Sequence, residues 1–139
     1  MTHSKTRLST TLLMTALLAV SAFAQDAKPK RDPDVPYVPT TERAVEEMLK
    51  LAAVKSSDIL YDLGCGDGRI VITAAKKYGS HGVGIDINPV RIAEAKANAK
   101  KEGVEHLVRF EEQDLFEAKI GDATVVTLFL LPSVNMKLR

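Results

Sequence analysis

The sequence predicts an α/β domain built on a doubly wound, mostly parallel sheet, and two observations carry this prediction. Segments with helical and with strand patterns alternate in the order helix, strand, helix, strand, helix, strand, strand. Alternation at this spacing is typical of right-handed βαβ units. The last strand pattern, residues 124–131, has almost no polar residue. Such a continuous apolar run is typical of a strand that is covered on both faces of a parallel sheet.

The first half of the pattern consists of two helices around one strand. Apolar residues recur at helical spacing after Thr41, a suitable N-cap, and predict a helix over residues 41–54. Residues 59–63 form a short strand that ends in a glycine-rich loop. A second helix follows this loop and ends at Gly79, because glycine suits a C-terminal cap.

The second half contains two more strands before the apolar run. Residues 82–85 form the second strand. Asn88 then caps a helix, and Pro89 takes its first position, where the missing N–H removes no hydrogen bond. After this helix, residues 108–111 form the third strand.

Residues 1–24 have the pattern of a secretory signal peptide rather than of a folded element. Two basic residues open the segment, an apolar stretch follows, and Ala22-Phe23-Ala24 gives a small-x-small cleavage pattern. The apolar stretch is short for a membrane span, which needs about 20 apolar residues. We expect cleavage and export to the periplasm or the exterior. An uncleaved membrane anchor, with membrane contact through this segment, and a buried helix are the alternatives. Residues 25–34 form a polar linker, and residues 35–139 form the folded domain.

Composition excludes several classes of function. The 139 residues carry a formal net charge of +1 with mixed signs, so they form no basic stripe for nucleic acid. The single cysteine, Cys65, excludes an intrachain disulfide framework. The three histidines have no metal-ligand spacing among themselves or with this cysteine, so we expect no metal site.

The loop after the first strand, Asp62-Leu63-Gly64-Cys65-Gly66-Asp67-Gly68-Arg69, is the most informative segment. Glycines allow a ligand to approach the backbone closely. The dinucleotide pattern fails because Arg69 stands where a glycine is needed, and the phosphate-loop pattern is absent. A pyrophosphate would be repelled by Asp62 and Asp67. The loop therefore favours a positively charged ligand without phosphate, which argues against an NAD-dependent oxidoreductase.

Acidic residues follow three successive strands. Asp62 ends the first strand, Asp86 the second, and Asp114 follows the third. Ligands of such sheets bind beyond the carboxyl ends of the strands, and a carboxylate after the second strand can accept ribose hydroxyls. Together these acids predict a pocket for a nucleoside, although Asp67 or Asp114 taken singly could equally be a solvated turn residue or helix cap.

These segments resemble the first three motifs of class I S-adenosylmethionine-dependent methyltransferases. The matching segments are residues 61–68, Gly84-Ile85-Asp86 and Gln113-Asp114-Leu115. The resemblance implies a Rossmann-like sheet of about seven strands, of which this chain supplies four. It also implies S-adenosyl-L-methionine as the cofactor: the glycine loop faces the methionyl part, Asp62 orients the loop and the amino group, Asp86 holds the ribose, and Asp114 lies near the adenine. The cofactor-binding residues that it implies are Tyr37, Thr40, Asp62, Gly64, Cys65, Gly66, Asp86, Ile87, Asp114 and Leu115.

Two further segments, residues 35–40 and 127–135, are similar to small lysine methyltransferases related to the mitochondrial enzymes that modify the c-ring protein of ATP synthase and the adenine nucleotide translocase. This similarity implies a lysine side chain of a protein as the methyl acceptor. It also implies that the segment before the first helix folds over the cofactor. Tyr37, Pro132 and Asn135 are the candidate substrate-lining residues. The alternative is that the prolines only stiffen loops, and that Pro132 only ends a strand.

Methyl transfer from a sulfonium is an in-line displacement that requires orientation and a neutral amine, but no obligatory general base. Cys65 is then a packing residue rather than a nucleophile. With four of about seven strands, residues 125–131 would form an open apolar edge. We therefore expect a fragment of a longer enzyme, which could be inactive as it stands. A non-catalytic nucleoside-binding module is the alternative function.

Overall fold

The computed structural model of the chain describes residues 36–138 and has the alternating order that the sequence predicts. The predicted signal peptide and linker, residues 1–24 and 25–34, lie outside the described residues. No helix within residues 36–138 combines the length and apolar character needed to cross a membrane. The elements are α1 (Glu42–Leu51), β1 (Ile59–Leu63), α2 (Arg69–Tyr78), β2 (His81–Asp86), α3 (Pro89–Lys101), β3 (Val108–Glu112), β4 (Val125–Thr127) and α4 (Pro132–Asn135), with single 3₁₀ turns at Leu115–Glu117 and Met136–Leu138.

The four strands form one parallel sheet in the order β3-β2-β1-β4. The chain therefore moves outward from β1 through β2 to β3 and then crosses back to the other side of β1. In this register Asp62 of β1 lies opposite Gly84 of β2 and Thr127 of β4. The α/β fold with a partial parallel sheet is thus confirmed, and the carboxyl ends of β1 and β2 are level with each other.

Each face of the sheet has its own hydrophobic core. On one face, buried side chains of α1, α2 and α3, such as Leu49 and Val71, pack with Leu60 and Phe110 of the strands. On the other face, buried strand residues including Ile85 pack against residues of the segment 115–123 rather than against α1, α2 or α3. The long helices thus support the strands from one side.

Helix α1 ends earlier than predicted. It stops at Leu51 instead of extending to residue 54, because Ala53 has a left-handed backbone with φ of 50°. The amide of Val54 then donates to the carbonyl oxygen of Leu49 at 3.2 Å, and Val54 is buried in the core. The apolar spacing continues through this turn, although the helix does not.

Strand β4 is shorter than predicted. The apolar run over residues 124–131 forms a strand only at Val125–Thr127, and Val126 is 40% exposed. The expectation of a long strand covered on both faces is therefore wrong for the described residues. Phe129, Leu130 and Leu131 leave the sheet and line a cavity at its carboxyl edge. The last three of its eight residues are apolar because they wall that cavity.

The start of α3 follows the prediction. Asn88 caps the helix, since its side-chain oxygen accepts a hydrogen bond of 2.9 Å from the amide of Val90. Pro89 occupies the first turn. This cap fixes the chain directly after Asp86, the acid at the end of β2.

Candidate active site

A cavity of about 650 Å³ lies at the carboxyl ends of β1 and β2. Its walls come from the segment before α1, the glycine loop, the end of β2, the turn after β3 and the segment after β4. The lining residues are Pro36, Tyr37, Val38, Pro39, Thr40, Asp62, Gly64, Cys65, Asp67, Arg69, Ile70, Asp86, Ile87, Asn88, Arg91, Asp114, Leu115, Phe129, Leu130, Leu131 and Val134.

The glycine loop is held by backbone hydrogen bonds to β2. The amides of Gly64 and Cys65 both donate to the carbonyl oxygen of Ile85, at 2.8 and 2.9 Å. The amide of Gly66 donates to Oδ2 of Asp86 at 2.9 Å, and the amide of Asn88 donates to Oδ1 at 2.9 Å. Asp86 therefore fixes the loop on one side and the start of α3 on the other. Each carboxylate oxygen can accept a further hydrogen bond, because it has two lone pairs.

Two of the glycines are required by the close approach of their neighbours. Gly64 and Gly66 have φ of +88° and +53°, a region that side chains other than glycine rarely adopt. A Cβ at Gly64 would lie 2.7 Å from the side chain of Leu130, and a Cβ at Gly66 would overlap the ring of Tyr37. The two glycines thus let the side chains of Leu130 and Tyr37 pack directly against the backbone of the loop.

Asp62 is the buried acid of the site. It is 2% exposed, and its Oδ1 accepts a hydrogen bond of 2.7 Å from the hydroxyl of Thr127. Burial raises the pKa of Asp62 to about 7, the carboxylates of Asp86 and Asp67 add to the rise, and the Thr127 hydroxyl lowers it. The site therefore holds a buried carboxyl group whose charged form would be stabilised by a nearby cation.

Asp67 and Arg69 form an ion pair that ties the loop to the segment before α1. The guanidinium binds both oxygens of Asp67, with Nη2 at 2.6 Å from Oδ2, and its Nη1 donates to the carbonyl oxygen of Thr40 at 2.7 Å. Burial alone would raise the pKa of Asp67, but the Arg69 guanidinium outweighs it and holds that pKa below its ordinary value. The carboxylate of Asp67 therefore has a structural role as the partner of Arg69.

Tyr37 covers the loop from the outside. Its ring lies next to Gly66 and 4.7 Å from the guanidinium carbon of Arg91, a cation–π distance. Burial raises the pKa of Tyr37, and Asp67 adds to that rise. The segment before α1 thus folds over the cavity, where the resemblance to lysine methyltransferases predicts it.

The structure brings together most of the residues predicted to bind the cofactor. Tyr37, Thr40, Asp62, Gly64, Cys65, Asp86, Ile87, Asp114 and Leu115 all line the cavity, whereas Gly66 turns its amide to Asp86. Asp114 also caps the 3₁₀ turn that follows β3, since its Oδ1 accepts from the amide of Phe116 at 3.0 Å. Their roles toward a ligand stay predictions.

Two of the substrate-lining candidates lie away from the cavity wall. Pro132 begins α4, and Asn135 ends it with a buried side-chain oxygen that has no hydrogen-bond partner among the described residues. Val134 of the same helix lines the cavity instead. The predicted contact of Pro132 and Asn135 with a substrate stays a prediction.

Sequence reasoning missed the structural roles of Arg69, Arg91 and Thr127. Arg69 had a signal, because a cation in the first turn of a helix is unfavourable with the helix dipole and so requires another partner. Thr127 had one as well, since it is the single polar residue within residues 125–131. Arg91 had the same signal as Arg69, because it lies in the first turn of α3.

Cys65 does not have the environment of a nucleophile. It is 5% exposed, and burial raises the pKa of its thiol well above the ordinary value, with a further rise from Asp62. A reactive cysteine needs the opposite shift. Among residues 36–138, no group of three or more His, Cys, Asp or Glu side chains could hold a metal ion.

The fold and this site define a Rossmann-like methyltransferase domain: a parallel sheet, a glycine loop bound to the second strand, and carboxylates in place of a phosphate site. A sequence model of the ANTKMT methyltransferase domain matches residues 62–139. The chain belongs to this family. The resemblance to class I methyltransferases, and to the small lysine methyltransferases among them, is thereby confirmed.

Several relatives support this membership. The chain is 53% identical over 108 residues to a protein-lysine N-methyltransferase of Saccharolobus islandicus, covering 77% of this chain and 67% of that protein. It is 35% identical over 100 residues to the adenine nucleotide translocase lysine N-methyltransferase of Mus musculus, covering 72% of this chain and 43% of that one. The chain thus spans two thirds of the Saccharolobus islandicus relative and less than half of the Mus musculus one.

Solved structures agree with the fold. An RNA methyltransferase from Salinibacter ruber, in complex with S-adenosyl-L-homocysteine, superposes with a TM-score of 0.73 at 60% identity, covering 73% of this chain and 67% of that one. A SAM-dependent methyltransferase from Geobacter sulfurreducens, also in complex with S-adenosyl-L-homocysteine, gives a TM-score of 0.58 at 28% identity. The match covers 62% of this chain and 35% of that one.

Proposed function

We propose that this domain binds S-adenosyl-L-methionine in the cavity and transfers its methyl group to a lysine side chain of a protein. The single observation that carries the proposal is the pair of carboxylates, Asp62 and Asp86, which line one cavity at neighbouring strand ends beside the glycine loop. The names of the relatives, which include protein-lysine N-methyltransferases, support the choice of acceptor.

The residues present fit this cofactor. When bound, it supplies a methyl group on a positively charged sulfur. Asp86 holds the ribose hydroxyls with lone pairs that Gly66 and Asn88 leave available. The buried carboxyl of Asp62 receives the ammonium group, and Gly64 lines the part of the cavity that takes the methionyl chain. Asp114 and Leu115 border the adenine.

The acceptor side of the cavity is apolar. Phe129 and Leu131, each 51% exposed, line it next to Leu130. An apolar wall disfavours the charged form of an amine and so helps a lysine lose its proton before it attacks. With the amine neutral, the displacement needs only correct orientation of the nucleophile, the methyl carbon and the sulfur.

RNA is the second candidate acceptor, because the Salinibacter ruber relative is described as an RNA methyltransferase. The balance of charge favours protein. The chain has 19 Lys and Arg residues against 18 Asp and Glu residues, which gives little attraction for a phosphate backbone.

We also propose that the domain is exported, because residues 1–24 have the pattern of a signal peptide. Cell fractionation with a C-terminal tag tests this proposal. Recovery of the tagged chain in the cytoplasmic fraction with residues 1–24 still attached would contradict it, whereas recovery in the membrane fraction would indicate the uncleaved anchor.

The function is tested with the purified chain, by calorimetry with S-adenosyl-L-methionine and by transfer of labelled methyl groups to a cell extract. Label that survives nuclease and appears as methyl-lysine after acid hydrolysis supports the proposal. Label lost with nuclease indicates RNA as the acceptor. Binding without transfer to any extract component indicates a non-catalytic module, and absence of binding contradicts the proposal as a whole.

A further inference from the structure

Thr127 connects the edge strand β4 to the buried acid of the cavity. It lies opposite Asp62 in the register of β1 and β4, and it is 6% exposed. Its hydroxyl donates to Oδ1 of Asp62 at 2.7 Å and lies 3.4 Å from the carbonyl oxygen of Tyr61. A hydroxyl has one proton, and the shorter distance assigns it to Asp62.

We propose that Thr127 is a positioning residue, which aims the carboxylate of Asp62 at the ammonium group of the cofactor and so makes β4 part of the cofactor site. This inference rests on the proposed function. It goes beyond that function because it assigns the selectivity for a ligand with an ammonium group to a side chain outside the glycine loop.

The surroundings of Asp62 explain why one hydroxyl matters. Among the residues that the structure describes, Thr127 is the one side-chain hydrogen-bond donor to this carboxyl group. The ionisable groups that face it are the carboxylates of Asp86 and Asp67 and the thiol of Cys65, and none of them stabilises a negative charge.

The cations of the cavity are engaged elsewhere. Arg69 is bound by Asp67, and Arg91 forms an ion pair of 2.7 Å with Glu94. Without the hydroxyl, Asp62 would therefore keep its proton to a higher pH, and a neutral carboxyl group attracts an ammonium group weakly.

The experiment compares Thr127→Val with Thr127→Ser. Valine has nearly the shape of threonine and suits a strand, whereas serine keeps the hydroxyl. Two ligands separate an effect on the ammonium group from an effect on the rest of the ligand. S-adenosyl-L-homocysteine carries the ammonium group, and 5′-methylthioadenosine lacks the whole amino-acid part. Affinities are measured by calorimetry between about pH 5.5 and pH 8.5, which spans the titration of Asp62.

We expect Thr127→Val to weaken the binding of S-adenosyl-L-homocysteine by about 10-fold at neutral pH. The reason is that the carboxylate of Asp62 loses the hydrogen bond from the Thr127 hydroxyl. In the wild-type protein the affinity rises with pH as Asp62 loses its proton. This rise should move to higher pH in Thr127→Val, stay in place in Thr127→Ser, and be absent for 5′-methylthioadenosine with every variant.

Thr124→Val is the matched control. The hydroxyl of Thr124 also donates to an aspartate, Asp58, at 2.9 Å, but at the amino end of the same strand. This variant should lower the melting temperature without changing the pH profile of binding. If Thr127→Val is too unstable to measure, Thr127→Ala, which also removes the hydroxyl, takes its place.

The outcomes separate the two levels of the proposal. A wild-type chain that binds neither ligand overturns the proposed function. A wild-type chain that binds both, with Thr127→Val showing the wild-type affinity and the wild-type pH profile, overturns the role of Thr127 and leaves the cofactor assignment intact.

Discussion

Arg69 and Thr40 join two parts of the chain that are 29 residues apart, through a hydrogen bond of 2.7 Å from Nη1 to a backbone oxygen. Because the same guanidinium binds both oxygens of Asp67, its position is fixed by the glycine loop. The loop therefore determines where the segment before α1 lies, and with it the position of Tyr37 over the cavity.

Replacing Arg69 should loosen this cover. We expect Arg69→Met to speed the dissociation of S-adenosyl-L-homocysteine by about 3- to 10-fold, as the loss of one or two charge-assisted hydrogen bonds implies. Rapid mixing followed by tyrosine fluorescence measures the rate of dissociation, since the chain has three tyrosines and no tryptophan. Arg43→Met, an exposed arginine of α1, is the control. Equal dissociation rates in the two variants would show that the cover does not retain the ligand.

Asp86 should be essential for binding. Asp86→Ala removes the acceptor for two backbone amides as well as the proposed partner of the ribose, so we expect the affinity for S-adenosyl-L-homocysteine to fall by at least about 30-fold. Calorimetry measures the change. Glu112→Ala is the control, because Glu112 lies opposite Asp86 on β3 and is exposed. An unchanged affinity in Asp86→Ala would refute the assignment of the ribose.

Gly66→Ala should disturb both the loop and Tyr37. The left-handed backbone costs a residue with a side chain about 1 kcal/mol, and the added methyl group overlaps the tyrosine ring. We expect a lower melting temperature and weaker binding. Gly121→Ala is the control, since a Cβ there meets no atom within 4 Å.

The cause of the Gly66 effect can be separated with the double variant Tyr37→Ala/Gly66→Ala. If the overlap with the ring is responsible, the two changes should destabilise the protein by less than the sum of the single changes. Strict additivity would assign the whole effect to the backbone.

Asp62 should make stability fall as the pH rises. Its pKa is about 7 in the folded protein, against about 3.9 in an unfolded chain. Between these values the unfolded chain has released the proton that the folded chain keeps, so the free energy of unfolding decreases by up to about 1.4 kcal/mol per pH unit. Above pH 7 the contribution is constant.

Denaturant unfolding at several pH values checks this sign, with Asp62→Asn as the comparison. The difference in free energy of unfolding between the wild-type protein and Asp62→Asn should change across the acidic range and level off above neutrality. A difference that is the same at every pH would contradict the raised pKa of Asp62.

The elements that the sequence predicted well are the helices whose ends are marked by capping residues. Gly79 ends α2 and Asn88 begins α3 as predicted, because caps act through bonds between near neighbours. The carboxylates at the strand ends were also predictable, since parallel strands bring their carboxyl ends to one edge. Asp62 and Asp86 accordingly line the same cavity.

The missed features depend on contacts between distant parts of the chain. An apolar run reports an apolar environment but does not distinguish a strand from a cavity wall, so the end of β4 at Thr127 was not predictable. The turn after α1 places an alanine, Ala53, in the left-handed conformation, which local preferences do not favour for a residue other than glycine. The link from Arg69 to Thr40 likewise has no local pattern.

The double hydrogen bond from Gly64 and Cys65 to the carbonyl oxygen of Ile85 has a consequence for association. Both amides already have their acceptor within the protein, so the shape of the loop exists before any ligand arrives. The entropy of ordering the loop is lost during folding and not during binding. Preorganisation of this kind lets a small domain recognise a flexible nucleoside with a rigid surface.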